Sequence, residues 1–249
     1  MLKTKFARMA ALVIGGVLFA AGTTAFGHTT VRSQGTESVT EDNAFKIGHG
    51  CATPAGDRRP VIAQSVVFPT LAPVLTASDN SAVGALSTVI EQGGVTGLMS
   101  PVQDRSIFLS QQKKTDSLGN AIGFSSTYGM LDTTFVGRVP FQFAGPKFVA
   151  NSCAKRLLVK IAIVDICTRG SGALAAGKLN MWIPANGSQY AIAGAAANID
   201  GIGAPATLTI NRNLTTNPLS ASCGAGIDVT VTPSAADVDA NLPIPGYWN

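Results

Sequence analysis

The sequence predicts an all-β protein, an antiparallel sandwich stapled by disulfides, and three observations carry that expectation. Runs rich in Val, Ile, Thr and Phe follow one another between turn residues, mostly Gly, Pro, Asn and Asp. Four cysteines occur in a chain that begins with an export address. Charged residues make up only 13% of the chain, Gly, Ala, Thr, Ser and Val abound, and long helical periodicity is scarce.

The export address is read from the first residues. Lys3, Lys5 and Arg8 precede an apolar run from Met9 to Ala21, and Ala25-Phe26-Gly27 offers small residues at the positions a signal peptidase inspects. Residues 1–27 are expected to be a secretory signal peptide, with cleavage after Gly27 making His28 the first residue; Ala20-Ala21-Gly22 is a second small-residue site. The apolar core falls short of the ~20 residues of a spanning helix, and no later stretch approaches that length. The expected product is soluble, periplasmic or extracellular, with no membrane span after cleavage. Without the leader the chain carries 15 basic and 14 acidic groups, so the net charge of +4 resides mostly in residues that are removed. There is no basic run to hold nucleic acid and no acidic tail to hold a polycation.

Residues 28–249 are expected to form a single β-sandwich domain. The strand candidates are "HTTVRSQ", "NAFKIGH", "VIAQSVVFP", "SIFLSQ", "AIGFSSTYG", "TTFVGRVPFQF", "KRLLVKIAIVDI", "TLTINRN" and "GIDVTVTP", a pattern that suits an Ig-like or cupredoxin-like antiparallel sandwich. Between Ala77 and Met99 a short helix is expected, capped by Asp79, Asn80 or Ser81 and ended by Gly93-Gly94. "IAGAAANIDGIGAPA" reads as a long surface loop. "SAADVDANLPIPGYWN" reads as a small acidic turn of helix before two prolines force extension.

Cys51, Cys153, Cys167 and Cys223 point to two disulfides. Cys153 and Cys167 bracket "AKRLLVKIAIVDI", which reads as one long strand; its ends lie tens of ångströms apart at ~3.3 Å per residue, beyond a disulfide's Cα reach of ~7 Å. A Cys153–Cys167 bridge is therefore disfavoured, and Cys51 pairs with Cys153 or Cys167.

The chain has only two histidines, His28 and His49, both close to the expected new terminus. If "HTTVRSQ" and "NAFKIGH" form a hairpin around "GTESVTEDN", His28 and His49 face each other across it, with Cβ atoms ~5 Å apart. A histidine at a free N-terminus brings its α-amine and its ring to one ion, and a second histidine adds a third nitrogen. Such a histidine brace suits Cu(II) by geometry and by the order of metal affinities. Protons compete for the same nitrogens, so affinity is expected to fall on acidification. His28 and His49 are the candidate copper ligands. No other side chain is assigned: Glu37, Glu41 and Asp42 lie at the turn end of the hairpin as a solvated loop, and Met99, Met130 and Met181 read as packing groups.

The "HTTV" opening followed by "IGHGC" resembles the YcnI-like periplasmic copper-binding proteins, whose mature chains open with His-Val-Thr-Val and carry a "VPHGC"-like strand end about twenty residues later. The likeness covers Gly27 to about Pro69. It implies a β-sandwich, copper at the N-terminal histidine, and copper handling by buffering, transport or delivery to a periplasmic or membrane copper-transport partner. In that family a glutamate completes the site, which Glu37, Glu41 and Asp42 are badly placed to do. A tryptophan also sits beside the family's site; Trp182 is the candidate, although a lone Trp among apolar residues is usually a packing group.

Two other functions compete with copper handling. A lytic polysaccharide monooxygenase also uses an N-terminal histidine brace, but it needs a flat aromatic face, and only Tyr128, Tyr190, Tyr247, Trp182 and Trp248 are available. Its second histidine also usually lies much further along the chain. A metal-free surface or adhesion module fits the composition but leaves the histidine placement unused. Neither a G-x-S-x-G elbow nor a P-loop is present.

Overall fold

The computed structural model describes residues 27–92, 99–170 and 172–248, so the expected leader, except Gly27, lies outside the described residues. The chain is built chiefly from β1 (Thr30–Val31), β2 (Gly35–Thr36), β3 (Thr40–Ile47), β4 (Cys51–Ala52), β5 (Arg58–Arg59), β6 (Ala63–Val67), β7 (Val74–Ala77), β8 (Met99–Pro101), β9 (Phe108–Thr115), β10 (Ala121–Gly129), β11 (Gly137–Ala144), β12 (Ala154–Ile166), β13 (Leu179–Trp182), β14 (Ala206–Asn211) and β15 (Ile227–Thr232). Two short helices join them, α1 (Gln189–Ala196) and α2 (Ala235–Asn241).

The strands form an all-β sandwich. The smaller sheet runs β1-β3-β11-β8, and the larger runs β2-β14-β12-β6-β10-β9, with β13 and β15 also paired to β12 and β7 to β15. Most pairs are antiparallel as expected, but β12 with β15 and β14 with β2 are parallel. The chain between β12 and β15 passes through β13, α1 and β14, long enough for the crossover that a parallel pair requires.

Strand β12 is the spine. Its first half pairs with β14 and β15, its second half with β6 and β13. Leu157, Val159, Ile161 and Ile163 point into the core between the sheets, where Phe45 stacks on Phe141 at 4.5 Å. Ala162, Val164 and Ile166 point the other way, into a second core closed by Val238, Leu242, Tyr247 and Trp248. A strand covered on both faces loses its polar alternation, which is why "KIAIVDI" reads as a nearly continuous apolar run.

The second core depends on α1, so the loop expected from Ile192 onward is corrected: Gln189–Ala196 is helical. The Ser188 hydroxyl accepts from the Ala191 amide at 3.0 Å, and the alanines that follow are strong helix formers. Gly194 lets the helix approach closely, because a Cβ there would lie 2.8 Å from Ile202 and 3.2 Å from the Met181 sulfur. The reverse holds between Ala77 and Met99, where among the described residues only a 3₁₀ turn forms, at Leu86–Thr88. Asp79 spends its capping oxygen on the Ser81 amide and hydroxyl within a local turn, and the expected stop at Gly93-Gly94 lies outside the described residues. The acidic helix near the end forms as α2, capped by the Ser234 side chain.

The disulfides are Cys51–Cys167 and Cys153–Cys223. Cys153 and Cys167 flank the two ends of β12 and are thereby kept apart. Two such bridges fit formation in an oxidising compartment. Among the described residues no helix is long and apolar enough to cross a membrane.

Candidate functional site

The site begins at the β1–β3 ladder, where Thr30 faces Lys46 and Val31 faces Phe45. Carried outward, that register sets Gly48, not His49, across from His28. The backbone takes advantage of the missing side chain: a Cβ on Gly48 would lie 2.4 Å from the Gly27 carbonyl oxygen and 2.8 Å from its carbon. Residue 27 thus lies flat against Gly48, and the nitrogen of His28, bonded to that carbonyl, is held beside the residue preceding His49.

His28 is exposed and His49 is buried. Their rings nevertheless meet at a third, the indole of Trp182 at the end of β13. The His28 ring centroid lies 5.0 Å from it and that of His49 6.1 Å, both edge-on, at 66° and 73°. Trp182 is 1% exposed and belongs to the core as well, so packing and contact with the histidines are one arrangement.

His49 Nδ1 is 2.5 Å from the Gly50 carbonyl oxygen. A carbonyl only accepts, so the neutral ring carries its proton on Nδ1 and its lone pair on Nε2. Nε2 lies 3.7 Å from Asp200 Oδ2, a half-buried carboxylate in the loop after α1. Two residues past His49, the Cys51–Cys167 disulfide fastens this segment to the end of β12.

Beneath the indole lies Asp165, with no exposed surface. Its Oδ2 accepts the Thr29 hydroxyl and the Trp182 indole N–H, each at 2.6 Å, and its Oδ1 accepts the Gln64 amide at 2.8 Å. Burial pushes this carboxyl above the usual carboxylate range, opposed by the hydrogen bonds from Thr29, Gln64 and Trp182. Beside His28 a cleft of about 350 Å³ opens between Thr29–Val31 and Ala204–Thr207, with no acidic residue, lysine or arginine in its lining.

The other residues weighed from the sequence lie elsewhere. Asp42 is exposed and Glu41 half-buried on β3, at the end away from the histidines. Glu37 is not part of a solvated loop: it is 4% exposed and accepts from the Phe148 and Asn213 amides at 2.8 Å and from the Asn217 side chain at 2.5 Å. Those amide donors replace water, which makes the burial tolerable. Met99 and Met181 are buried and Met130 is exposed. Among the described residues no three His, Cys, Asp or Glu side chains are grouped to hold a metal ion.

Asp165 had a signal in the sequence, as the lone acid in the apolar run "IAIVDI", where a carboxyl must be buried and therefore partnered. Asp200, Thr29 and Gln64 had none, since only tertiary contact brings them here. No protein-family model, no curated protein and no solved structure matches the chain.

Proposed function

We propose that the exported chain is a copper-binding protein that buffers, carries or delivers the ion. His28 and His49 are its side-chain ligands, and the α-amine freed by removal of residues 1–27 is the third nitrogen. The observation that carries this reading is the convergence of both imidazoles on the indole of Trp182, 5.0 and 6.1 Å from it. Three further features support it. Before cleavage, the close approach of Gly27 to Gly48 sets the nitrogen of residue 28 beside the His49 segment, so the amine is released next to its partner. His49 donates Nδ1–H to a backbone carbonyl, the second hydrogen bond that metal-binding imidazoles characteristically make. Asp200, 3.7 Å from His49 Nε2, is a carboxylate within reach of an ion held there.

Bound copper would be held by His28, His49 and the freed amine, nitrogen donors that Cu(II) prefers. The chain's own part is to orient two rings, shield their inner side with Trp182, and leave His28 facing outward, where a periplasmic or membrane copper-transport protein can take the cargo. This reading allies the chain with the YcnI-like copper-binding proteins through its His-Thr-Thr-Val opening and its His-Gly-Cys motif.

The packing of the aromatic residues favours a carrier over a polysaccharide monooxygenase. Tyr247 and Trp248 are buried in the second core, Tyr190 packs tilted against Trp248 at 4.6 Å, and exposed Tyr128 packs against Tyr247 at 5.9 Å. Trp182 remains at the histidines, and it is buried.

Intact mass of the exported protein tests whether the chain begins at His28. A Cu(II) titration followed by EPR is then expected to show nitrogen ligation that is lost when one residue is added before His28. An unchanged spectrum from the extended protein refutes the brace, and absence of Cu(II) binding leaves the metal-free module as the better reading.

A further inference from the structure

Residues just beyond a strand at a chain terminus ordinarily fray. Strand β1 comprises two residues, and its ladder with β3 starts at Thr30, which is little to hold His28 once the leader is gone. Yet Thr29 is only 1% exposed, and its hydroxyl reaches 136 residues along the chain to Asp165 Oδ2 at 2.6 Å. The same oxygen takes the Trp182 indole N–H, also at 2.6 Å.

Asp165 is itself rigidly placed. It sits in β12 between partners on two strands, facing Gln64 of β6 and Asn180 of β13. Gln64 closes the remaining oxygen at 2.8 Å. Two residues on, Cys167 is bonded to Cys51, which lies two residues past His49.

We infer that the Thr29–Asp165 pair is the positioning device of the histidine site. One buried carboxylate oxygen fixes both the residue that follows His28 and the indole on which both imidazoles rest. The inference builds on the reading of His28 and His49 as ligands. Thr29 and Asp165 are positioning residues and touch no ion. All of these anchors lie after residue 27, so removal of the leader leaves them intact. The new terminus is then ordered before any ligand arrives.

The test uses the exported chain with its terminus at His28 verified by mass. Thr29→Val keeps the side-chain shape and removes the hydroxyl, whereas Thr29→Ser keeps the hydroxyl. Without metal, backbone ¹⁵N relaxation at residues 29–31 is expected to show loss of order in Thr29→Val and near-normal order in Thr29→Ser. With Cu(II), affinity is expected to fall about 10- to 100-fold in Thr29→Val, the range typical of outer-shell partners, and to recover in Thr29→Ser. Thermal melts check that both variants fold, and Thr29→Ala substitutes if the valine variant does not. Unchanged order and unchanged affinity in a folded hydroxyl-less variant overturn the inference. Absence of Cu(II) binding by the unsubstituted chain overturns the copper reading instead, and the relaxation data then decide this proposal alone.

Discussion

Removing the two disulfides one at a time is expected to separate the stability of the fold from the integrity of the histidine site. Cys51–Cys167 spans 116 residues and Cys153–Cys223 spans 70. Loop-closure entropy assigns these bridges about 4.9 and about 4.4 kcal/mol at 25 °C, a difference of about 0.5 kcal/mol. Cys51 and Cys167 are also buried, at 0% and 6% exposure, so Cys51→Ala/Cys167→Ala loses some packing in addition. Both double variants therefore lose a large share of the roughly 5–15 kcal/mol that holds a domain together, and denaturant unfolding measures each loss.

Their effects on the site differ sharply. Cys51 lies two residues past His49 and Cys167 two past Asp165, whereas Cys153–Cys223 ties the other end of β12. Cu(II) affinity of the folded protein is expected to fall at least about tenfold in the first variant and to hold within about twofold in the second, by the usual sensitivity of ligands to their supporting shell. Equal affinities in the two variants, with both folded, would refute the idea that this bridge positions His49.

Three further outcomes are expected. Trp182→Phe removes a donor from the buried Asp165 carboxyl and is expected to cost about 1–3 kcal/mol in urea unfolding, with a matching change in Cu(II) affinity because both histidine rings lose their indole. Glu37→Leu strands the Phe148 and Asn213 amides and the Asn217 side chain, so a loss of about 3 kcal/mol or more in thermal or urea unfolding is expected, with the Cu(II) EPR spectrum unchanged. Lys114, whose ammonium reaches Ser65 and the last turn of α2, is pushed down to about 7 by burial. The unfolded chain then binds more protons than the fold from that value up to the ordinary lysine range, so stability rises with pH across the window by at most about 1.4 kcal/mol per unit; Lys114→Met is expected to flatten that rise in urea midpoints taken from pH 6 to 10.

Much of the sandwich was legible because strand formation leaves a local trace. The β12 run, its flanking cysteines and the turn-bounded strands on either side announce themselves through side-chain type and punctuation. Helix α1 did not, because its apolar alanines and glycines resemble a flexible loop until Met181 and Ile202 are seen packed against Gly194. Among the described residues the helix expected after Ala77 does not form, for the opposite cause: Ser81 gives its amide and hydroxyl to Asp79 in a turn, an outcome that their residue types leave undecided.

The pairing of a basic, apolar N-terminal segment with two histidines just beyond it, and the separation of Cys153 from Cys167 by a long strand, are properties of the linear chain. They depend on residue type and contour length, which neighbours in space do not alter. The one-residue register that sets Gly48 against His28, the indole that gathers both imidazoles, and the buried carboxyl that ties Thr29 to Trp182 arise only on folding. Each joins residues far apart in sequence, and the contact exists only once burial and hydrogen bonding across β3, β12 and β13 have offset the entropy of ordering them.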